Sequence, residues 1–188
     1  MAGLTPSQTV GPFFHYALTD DHTVSELASP QTRGQRITLR GRVLDGEGRA
    51  VPDAMIEIWQ ADAEGRYDHP DDHQDRPRDP TFHGFGRCAS DERGCYTFRT
   101  IKPGPVAGPG NTLQAPHILV NLFARGLLKQ LVTRVYFAHE PLNDSDPVLG
   151  LVEDDGRRAT LIANAEGDGS YVFDIHLGGA SETVFFET

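Results

Sequence analysis

Short apolar or alternating runs recur along the whole chain. Their period of two is typical of β-strands, in which successive side chains point to opposite faces of a sheet. Turn signals rich in glycine and proline separate the runs, which predicts many short strands joined by loops. The predicted strands are residues 37–44, 55–60, 96–100, 117–123, 131–137, 171–177 and 183–186. Together they predict an all-β chain with an antiparallel sandwich or barrel core.

Two segments do not follow the strand pattern. Residues 5–14 contain Pro6 and Pro12, which favour extended backbone, and they have apolar residues but no helical period. We expect an extended N-terminal arm that either packs on its own sandwich or reaches a partner. Residues 62–83 are polar and predict a long ordered loop. We expect one domain over residues 1–188, with an arm and lead-in at 1–36 and a core at 37–188.

The composition restricts the function. The chain has 188 residues and a net charge of -10 without a block of basic residues, so it lacks the electrostatic footprint of a nucleic-acid-binding protein. No apolar run is long enough to span a bilayer, and we expect a cytoplasmic chain without a signal peptide. Cys88 and Cys95 flank a turn-like segment. In a reducing compartment, two free thiols are a better interpretation than a disulfide.

The candidates for chemistry are histidines and one arginine. No nucleophile elbow or phosphate loop is present. The loop histidines His69, His73 and His83 could form a metal site, although loop spacing constrains this little. His117 lies in a predicted strand whose next same-face residue is Leu119, and a lone buried histidine is more often a core residue than a ligand. Arg125 follows a strand and could pair with a carboxylate, but composition alone favours an ordinary surface arginine.

Several sequence strings together carry a family resemblance. In order and spacing they resemble the intradiol aromatic-ring dioxygenases, and the likeness covers nearly the whole chain. The strings are residues 5–12, 57–67, 85–87, 96–104, 115–118 and 182–186. The resemblance implies ring cleavage with O₂ in the breakdown of aromatic compounds. In active chains of this family, two tyrosinates and two histidines hold a non-haem Fe(III), since a hard ferric ion favours anionic oxygen ligands.

This chain departs from that ligand pattern. Val106 stands where the resemblance calls for one tyrosine, and Gln74 stands near the position of the other if the 68–83 loop aligns without gaps. His117 matches the first histidine, but Leu119 replaces the second. Gln114 replaces an arginine that precedes the first histidine in active chains. We therefore expect no metal and no catalytic residue on this chain.

Residues 121–126 and 157–163 resemble those of family chains that carry no iron themselves and assemble with a homologous iron-binding β chain. The resemblance implies a large α/β hetero-oligomer that acts on 3,4-dihydroxybenzoate, with Fe(III) on the β chain. Four residues of the α chain would line the β chain's pocket, and these are Thr9, Gly11, Pro12 and Arg125. Arg125 is the candidate partner of the substrate carboxylate.

Two other hypotheses remain at this point. The chain could be a self-sufficient dioxygenase whose iron has unusual ligands, such as His69, His73, His83 and His117. It could also be a β-sandwich binding protein without enzymatic activity. The fold does not decide between these functions, because one fold supports many of them.

Overall fold

Strands dominate the computed structural model, which describes residue 4 and residues 6–187. The strands are β1 Arg36–Leu44, β2 Met55–Trp59, β3 Phe85–Ala89, β4 Cys95–Ile101, β5 Val106–Ala107, β6 Leu113–Gln114, β7 His117–Phe123, β8 Leu131–Phe137, β9 Ile162–Gly167, β10 Ser170–Val172 and β11 Ile175–His176. The helices are α1 Pro12–His15, a π-helical turn Tyr16–Asp20, α2 Asp155–Ala159, and 3-10 turns at Pro109–Asn111, Pro141–Ser145 and Leu149–Leu151. None of these described helices is long and apolar enough to cross a membrane.

Nine of the strands form one sheet, in the order β11-β1-β10-β9-β8-β7-β2-β3, and β4 pairs with β1 outside this path. Most neighbours are antiparallel, but β1 runs parallel to β10 and β11, and β8 runs parallel to β9. Residues from distant parts of this sheet, such as Leu39, Ile56, Phe98 and Val120, share a single buried core. The sheet therefore folds over itself into a sandwich, which confirms the predicted all-β class. The sheet is mixed, whereas an antiparallel core was predicted.

Strand β7 has a core face and a site face. Ile118, Val120 and Leu122 are buried in the shared core. Because side chains alternate along a strand, His117 and Leu119 project from the opposite face. On that face Leu119 pairs with Trp59 of β2 and with Arg134 of β8, and His117 pairs with Tyr136 of β8. The candidate residues on β7 therefore lie outside the sandwich core, under the loops that cover the sheet.

The start of the chain is only partly extended. Residues 6–11 have no regular structure, but Pro12–His15 and Tyr16–Asp20 are helical. The prediction of an extended arm over residues 5–14 is therefore wrong for residues 12–14. Phe13 is 83% exposed, while the Phe14 ring packs 5.5 Å from the ring centroid of Phe123. This segment therefore packs on its own sandwich with one phenylalanine and presents the other to solvent.

Several other strand predictions differ from the structure. The predicted run 171–177 is split into β10 and β11, and in run 183–186 only Phe186 pairs, through an isolated bridge to Val132. Strands β3, β5, β6 and β9 were not predicted. Cys88 and Cys95 are both free thiols, as expected. The division into an arm at 1–36 and a core at 37–188 stays a prediction.

Buried carboxylates order the long loop between β2 and β3. Asp62 accepts hydrogen bonds from the backbone N–H groups of Glu64, Arg66 and Asp79 at 2.9–3.0 Å. Asp79 accepts from the Arg33 N–H at 2.8 Å and from the Thr81 N–H and hydroxyl. Burial raises the pKa of Asp79, but these donors outweigh it and lower the pKa to about 2. The loop is thus held as an ordered segment, as its composition predicted.

Candidate functional site

Two of the four positions that the resemblance assigns to iron ligands, Gln74 and Val106, line one cavity, and the other two lie on an adjoining strand. A cavity of about 610 Å³ is lined by Trp59, Tyr67, Gln74 and Val106, among others. Strand pairing places Trp59 opposite Leu119. We call this cavity, together with His117 and Leu119 on the adjoining strand, the relic pocket. The structure therefore brings together the residues that the sequence places at the ligand positions, although most of them cannot bind a metal.

Gln74 and Val106 are held by other contacts within the relic pocket. The Gln74 side-chain amide donates to the Gly65 carbonyl and to Asp72 Oδ2, both at 3.1 Å. Val106 is buried and pairs with Gln114 across the β5–β6 hairpin. The Trp59 and Tyr67 rings stack beside them at a centroid distance of 6.0 Å and an interplanar angle of 11°. Gln74 and Val106 are therefore held by loop and hairpin contacts, beside a stacked aromatic pair, and not by a metal ion.

His117 is a buried neutral imidazole. Its Nδ1–H donates to the Ala115 carbonyl at 2.8 Å, so the neutral ring carries its lone pair on Nε2. Burial and the positive charge of Arg134 both disfavour protonation and lower the His117 pKa to about 4. The ring lies 5.7 Å from the Tyr136 ring. These contacts are those of a lone buried histidine, which lies on the face of β7 opposite the shared core.

Arg134 contributes the positive charge of this region. It lies on β8 directly opposite Leu119. Its Nη1 donates to Gln114 Oε1 at 2.7 Å and to the Tyr136 hydroxyl at 3.4 Å. The Tyr136 hydroxyl in turn donates to buried Asp146 at 3.1 Å. The Arg134 guanidinium therefore lies beside Gln114, the position at which the resemblance calls for an arginine.

A second group of predicted residues meets at the other end of β7. The backbone N–H of Gly126 donates to Thr9 Oγ1 at 2.7 Å. Gly126 has a φ of +91°, a left-handed conformation that favours glycine, and it completes the turn that displays Arg125. Arg125 is exposed, and within residues 6–187 it has no hydrogen bond or ion pair. We call this contact between Thr9 and the Arg125–Gly126 turn the arm contact.

Gly11 and Pro12 lie next to the arm contact along the chain. Gly11 is exposed, and a Cβ added there would meet nothing within 4 Å. Pro12 begins helix α1, and its side chain lies outside the described part of the structure. The arm also borders a smaller cavity of about 230 Å³ that Phe14, Phe123 and Leu128 help to line. Thr9 is thus the arm residue in direct contact with the Arg125 turn.

The two groups lie at opposite ends of one strand. Six residue steps separate His117 from Phe123, and at about 3.3 Å per residue this is roughly 20 Å. Arg125 therefore lies far from the relic pocket of its own chain. Any pocket that it lines must be formed by another molecule or by a surface at its own end of the sandwich.

The four histidines of the self-sufficient hypothesis do not form one site. His69 and His73 line the relic pocket, whereas His83 Nδ1 lies 2.6 Å from Asp68 and His117 is bonded to Ala115. Among the described residues, no three His, Cys, Asp or Glu side chains are grouped closely enough to hold a metal ion. The hypothesis of atypical iron ligands therefore lacks the geometry that it requires.

Comparison with known proteins identifies the family. The family described as Dioxygenase matches residues 9–179. The chain is 42% identical to the protocatechuate 3,4-dioxygenase alpha chain of Pseudomonas putida, over 97% of this chain and 96% of that one. The chain belongs to this dioxygenase family.

Two further relatives extend the comparison within the dioxygenase family. The protocatechuate 3,4-dioxygenase beta chain of Burkholderia cepacia is 38% identical over 94% of this chain and 77% of that one. The solved dioxygenase domain of a carbohydrate-binding fusion from Streptomyces sp. SirexAA-E has 25% identity and a TM-score of 0.62, with 94% of this chain and 100% of that one covered. This chain is therefore similar both to an alpha and to a beta chain.

The iron that dioxygenases of this family use does not fit the relic pocket. Val106 and Leu119 offer no donor atom, and the Gln74 amide is bonded to Gly65 and Asp72. Of the four expected ligand positions, only that of His117 keeps its ligand type. His69 and His73 line the cavity, but among the described residues they belong to no group of three side chains that could hold a metal ion. Arg134 adds a positive charge opposite Leu119. A cation beside the pocket opposes the binding of another cation. The residues around the relic pocket therefore do not supply an iron site for ring cleavage.

Sequence reasoning missed Arg134, Tyr136 and the Trp59–Tyr67 stack. Arg134 and Tyr136 stand in an otherwise apolar predicted strand with a spacing of two, which places both side chains on one face. That spacing was the available signal. Which residues they meet on β7 depends on strand pairing, and the sequence pattern alone does not give the register.

Proposed function

We propose that this chain is the non-iron-binding alpha subunit of a heteromeric protocatechuate 3,4-dioxygenase. The enzyme would cleave 3,4-dihydroxybenzoate between its two hydroxyl-bearing carbons with O₂ and form 3-carboxy-cis,cis-muconate, in the β-ketoadipate pathway of aromatic breakdown. The observation that carries the proposal is the separation of two residue groups on β7. The ligand positions at one end keep only His117 of the four expected ligands, while Thr9 and the Arg125 turn meet at the other end.

The proposal assigns Fe(III) to a homologous beta chain in a large alpha/beta assembly. The similarity of this chain to both an alpha and a beta chain supports a partner of this kind. The chain's own contribution is a guanidinium that faces outwards. The Thr9 hydroxyl holds the Gly126 N–H at 2.7 Å and so fixes the turn from which Arg125 projects. Gly11 and Pro12 would pass close to the substrate in the beta chain's pocket.

Exposed apolar side chains support a partner surface at the same end of the molecule. Phe13 is 83% exposed and Leu128 is 62% exposed. Phe13 immediately precedes Phe14, and Leu128 lines the same cavity as Phe14. Exposed aromatic and aliphatic groups of this kind mark protein–protein interfaces when they cluster. The beta chain would bury these groups around Arg125.

The test is to express the chain alone, a homologous beta chain alone, and both together. We expect iron and protocatechuate turnover in the co-expressed complex, with iron equimolar to the beta chain, and a colourless, inactive alpha chain. Iron bound stoichiometrically by the alpha chain alone would instead identify a self-sufficient dioxygenase. Failure to form a complex with any beta chain encoded beside its gene would favour a non-enzymatic β-sandwich protein.

A further inference from the structure

Arg134 is a half-buried cation without a carboxylate partner among residues 6–187. Its hydrogen-bond acceptors, Gln114 Oε1 and the Tyr136 hydroxyl, are both uncharged. Buried or half-buried guanidinium groups are usually paired with an anion. The nearest carboxylate along these hydrogen bonds, Asp146, lies beyond the Tyr136 hydroxyl, so the guanidinium has no direct ion pair where it lies opposite Leu119.

The charge of Arg134 acts on the groups that face the relic pocket. Arg134 faces Leu119 across the β7–β8 pairing. Its Nη1 contacts Gln114 on β6 and the Tyr136 hydroxyl on β8, and the Tyr136 ring lies 5.7 Å from the His117 ring. After burial, its positive charge helps to lower the pKa of His117. Asp71 and Asp72 also line the cavity, so Arg134 supplies positive charge at the β7–β8 side of the relic pocket.

We infer that Arg134 excludes metal ions from the relic pocket, because its guanidinium supplies a fixed positive charge where a metal would otherwise bind between the 117 and 119 positions. Loss of the ligands is then only part of the difference from an iron-binding chain. This role adds to the proposed function, and it rests on that proposal in one respect, namely that the iron is bound by the partner chain.

The inference predicts that restoring a histidine at 119 is not enough for metal binding. Histidines at 117 and 119 share one face of β7, which is a spacing that allows both imidazoles to bind one ion. With Arg134 opposite position 119, a bound Co²⁺ would lie close to a like charge. Repulsion between two neighbouring cations in a protein should lower the affinity for the metal about tenfold or more.

The experiment measures Co²⁺ binding to the isolated full chain by visible absorption and calorimetry. We expect little binding by the wild-type chain and by Leu119→His. We expect binding about tenfold or more tighter by Leu119→His/Arg134→Met, which keeps side-chain length and removes the charge. Leu119→His/Arg134→Lys keeps the charge and should bind as poorly as Leu119→His. The control Leu119→His/Arg125→Met makes the same change in net charge at the far end of β7 and should not improve binding.

Three results would overturn the inference: tight Co²⁺ binding by the wild-type chain, equal affinities for Leu119→His and Leu119→His/Arg134→Met, or equal gains from Met and Lys at position 134. Melting curves check that each variant folds, and Arg134→Gln replaces Arg134→Met if the latter does not fold. Loss of folding in both neutral variants, but not in Arg134→Lys, would assign the cation to the stability of the fold and would also overturn the inference. Since the readout is metal binding by one chain, failure is distinguishable from failure of the proposed function, which turnover of the complex tests.

Discussion

Replacement of Arg125 by alanine tests the carboxylate role directly. Protocatechuate differs from catechol by one carboxylate, and an enclosed pocket must desolvate that charge. A guanidinium pairs with a carboxylate through two parallel hydrogen bonds and offsets the desolvation. In the isolated chain Arg125 is exposed and unpaired within the described residues, on a turn that Thr9 fixes. A carboxylate that pairs with Arg125 would therefore come from outside the described part of this chain.

The expected size of the effect follows from the burial of that pair in the complex. Removal of one partner of a buried charge pair costs about 2–5 kcal/mol, because the other charge is left unpaired. At about 1.4 kcal/mol per factor of ten, Arg125→Ala should lower kcat/KM for protocatechuate about 30- to 4,000-fold. For uncharged catechols, loss of an unused surface charge should change kcat/KM by about twofold at most.

The assay is steady-state kinetics of the co-expressed complex on protocatechuate and on an uncharged catechol. Arg125→Lys should restore only part of the loss, because an ammonium lacks the planar fork of the guanidinium. Lys129→Ala is a matched control, since Lys129 is an exposed cation in the same connection between β7 and β8. We expect normal kinetics from this control.

Size-exclusion chromatography separates the carboxylate role from a role in assembly. If Arg125 only supports the subunit interface, Arg125→Ala will slow turnover of both substrates equally and will loosen the complex. Equal losses on the two substrates would therefore refute the reasoning, even if the losses were large.

Three other predictions concern the arm and two buried groups. Deletion of residues 1–13 should weaken assembly or raise the KM of the complex, and a truncated chain that assembles and turns over normally would contradict the role of the arm. Tyr96→Phe removes a buried hydroxyl that donates to the Phe173 carbonyl at 2.6 Å, so chemical denaturation should show a loss of about 1–3 kcal/mol, whereas exposed Tyr16→Phe should be neutral. Asp79→Asn should destabilise the chain at pH 7 by about 1–3 kcal/mol. Because the pKa of Asp79 is lowered to about 2, the greater stability of the wild-type chain is present above pH 4 and should vanish as the pH falls towards 2. An unchanged difference in stability at pH 2 would exclude this linkage.

The alternation of apolar residues predicted the strands whose core face is aliphatic. Predicted runs 117–123 and 131–137 coincide with β7 and β8. Strand β3 escaped prediction because Gly86 and Cys88 form its buried face. A Cβ at Gly86 would lie 2.8 Å from Ile58 and 3.1 Å from Phe98, so glycine is required there by packing against strands that are distant in sequence.

The family resemblance identified the residues of the candidate site, which the periodicity of apolar residues does not reveal. It identified Gln74, Val106 and Leu119 as altered ligand positions beside the retained His117. In the structure Gln74 and Val106 line one cavity, and Leu119 pairs with Trp59 at its wall. The contact between Thr9 and Gly126 was not predictable, because it joins residues 117 positions apart. The position of Arg134 opposite Leu119 likewise depends on the register between β7 and β8.

The stack of Trp59 on Tyr67 gives the relic pocket a built-in optical reporter. Trp59 is the single tryptophan of the chain, so fluorescence excited at the red edge of the protein spectrum comes entirely from this wall of the pocket. Emission from the indole responds to the charge and solvent around it, including the guanidinium that faces Leu119. Events at the arm contact occur roughly 20 Å away along β7 and should leave this emission unchanged. The unlabelled protein thus distinguishes, by the colour of its emission alone, a change at the relic pocket from a change at the arm contact.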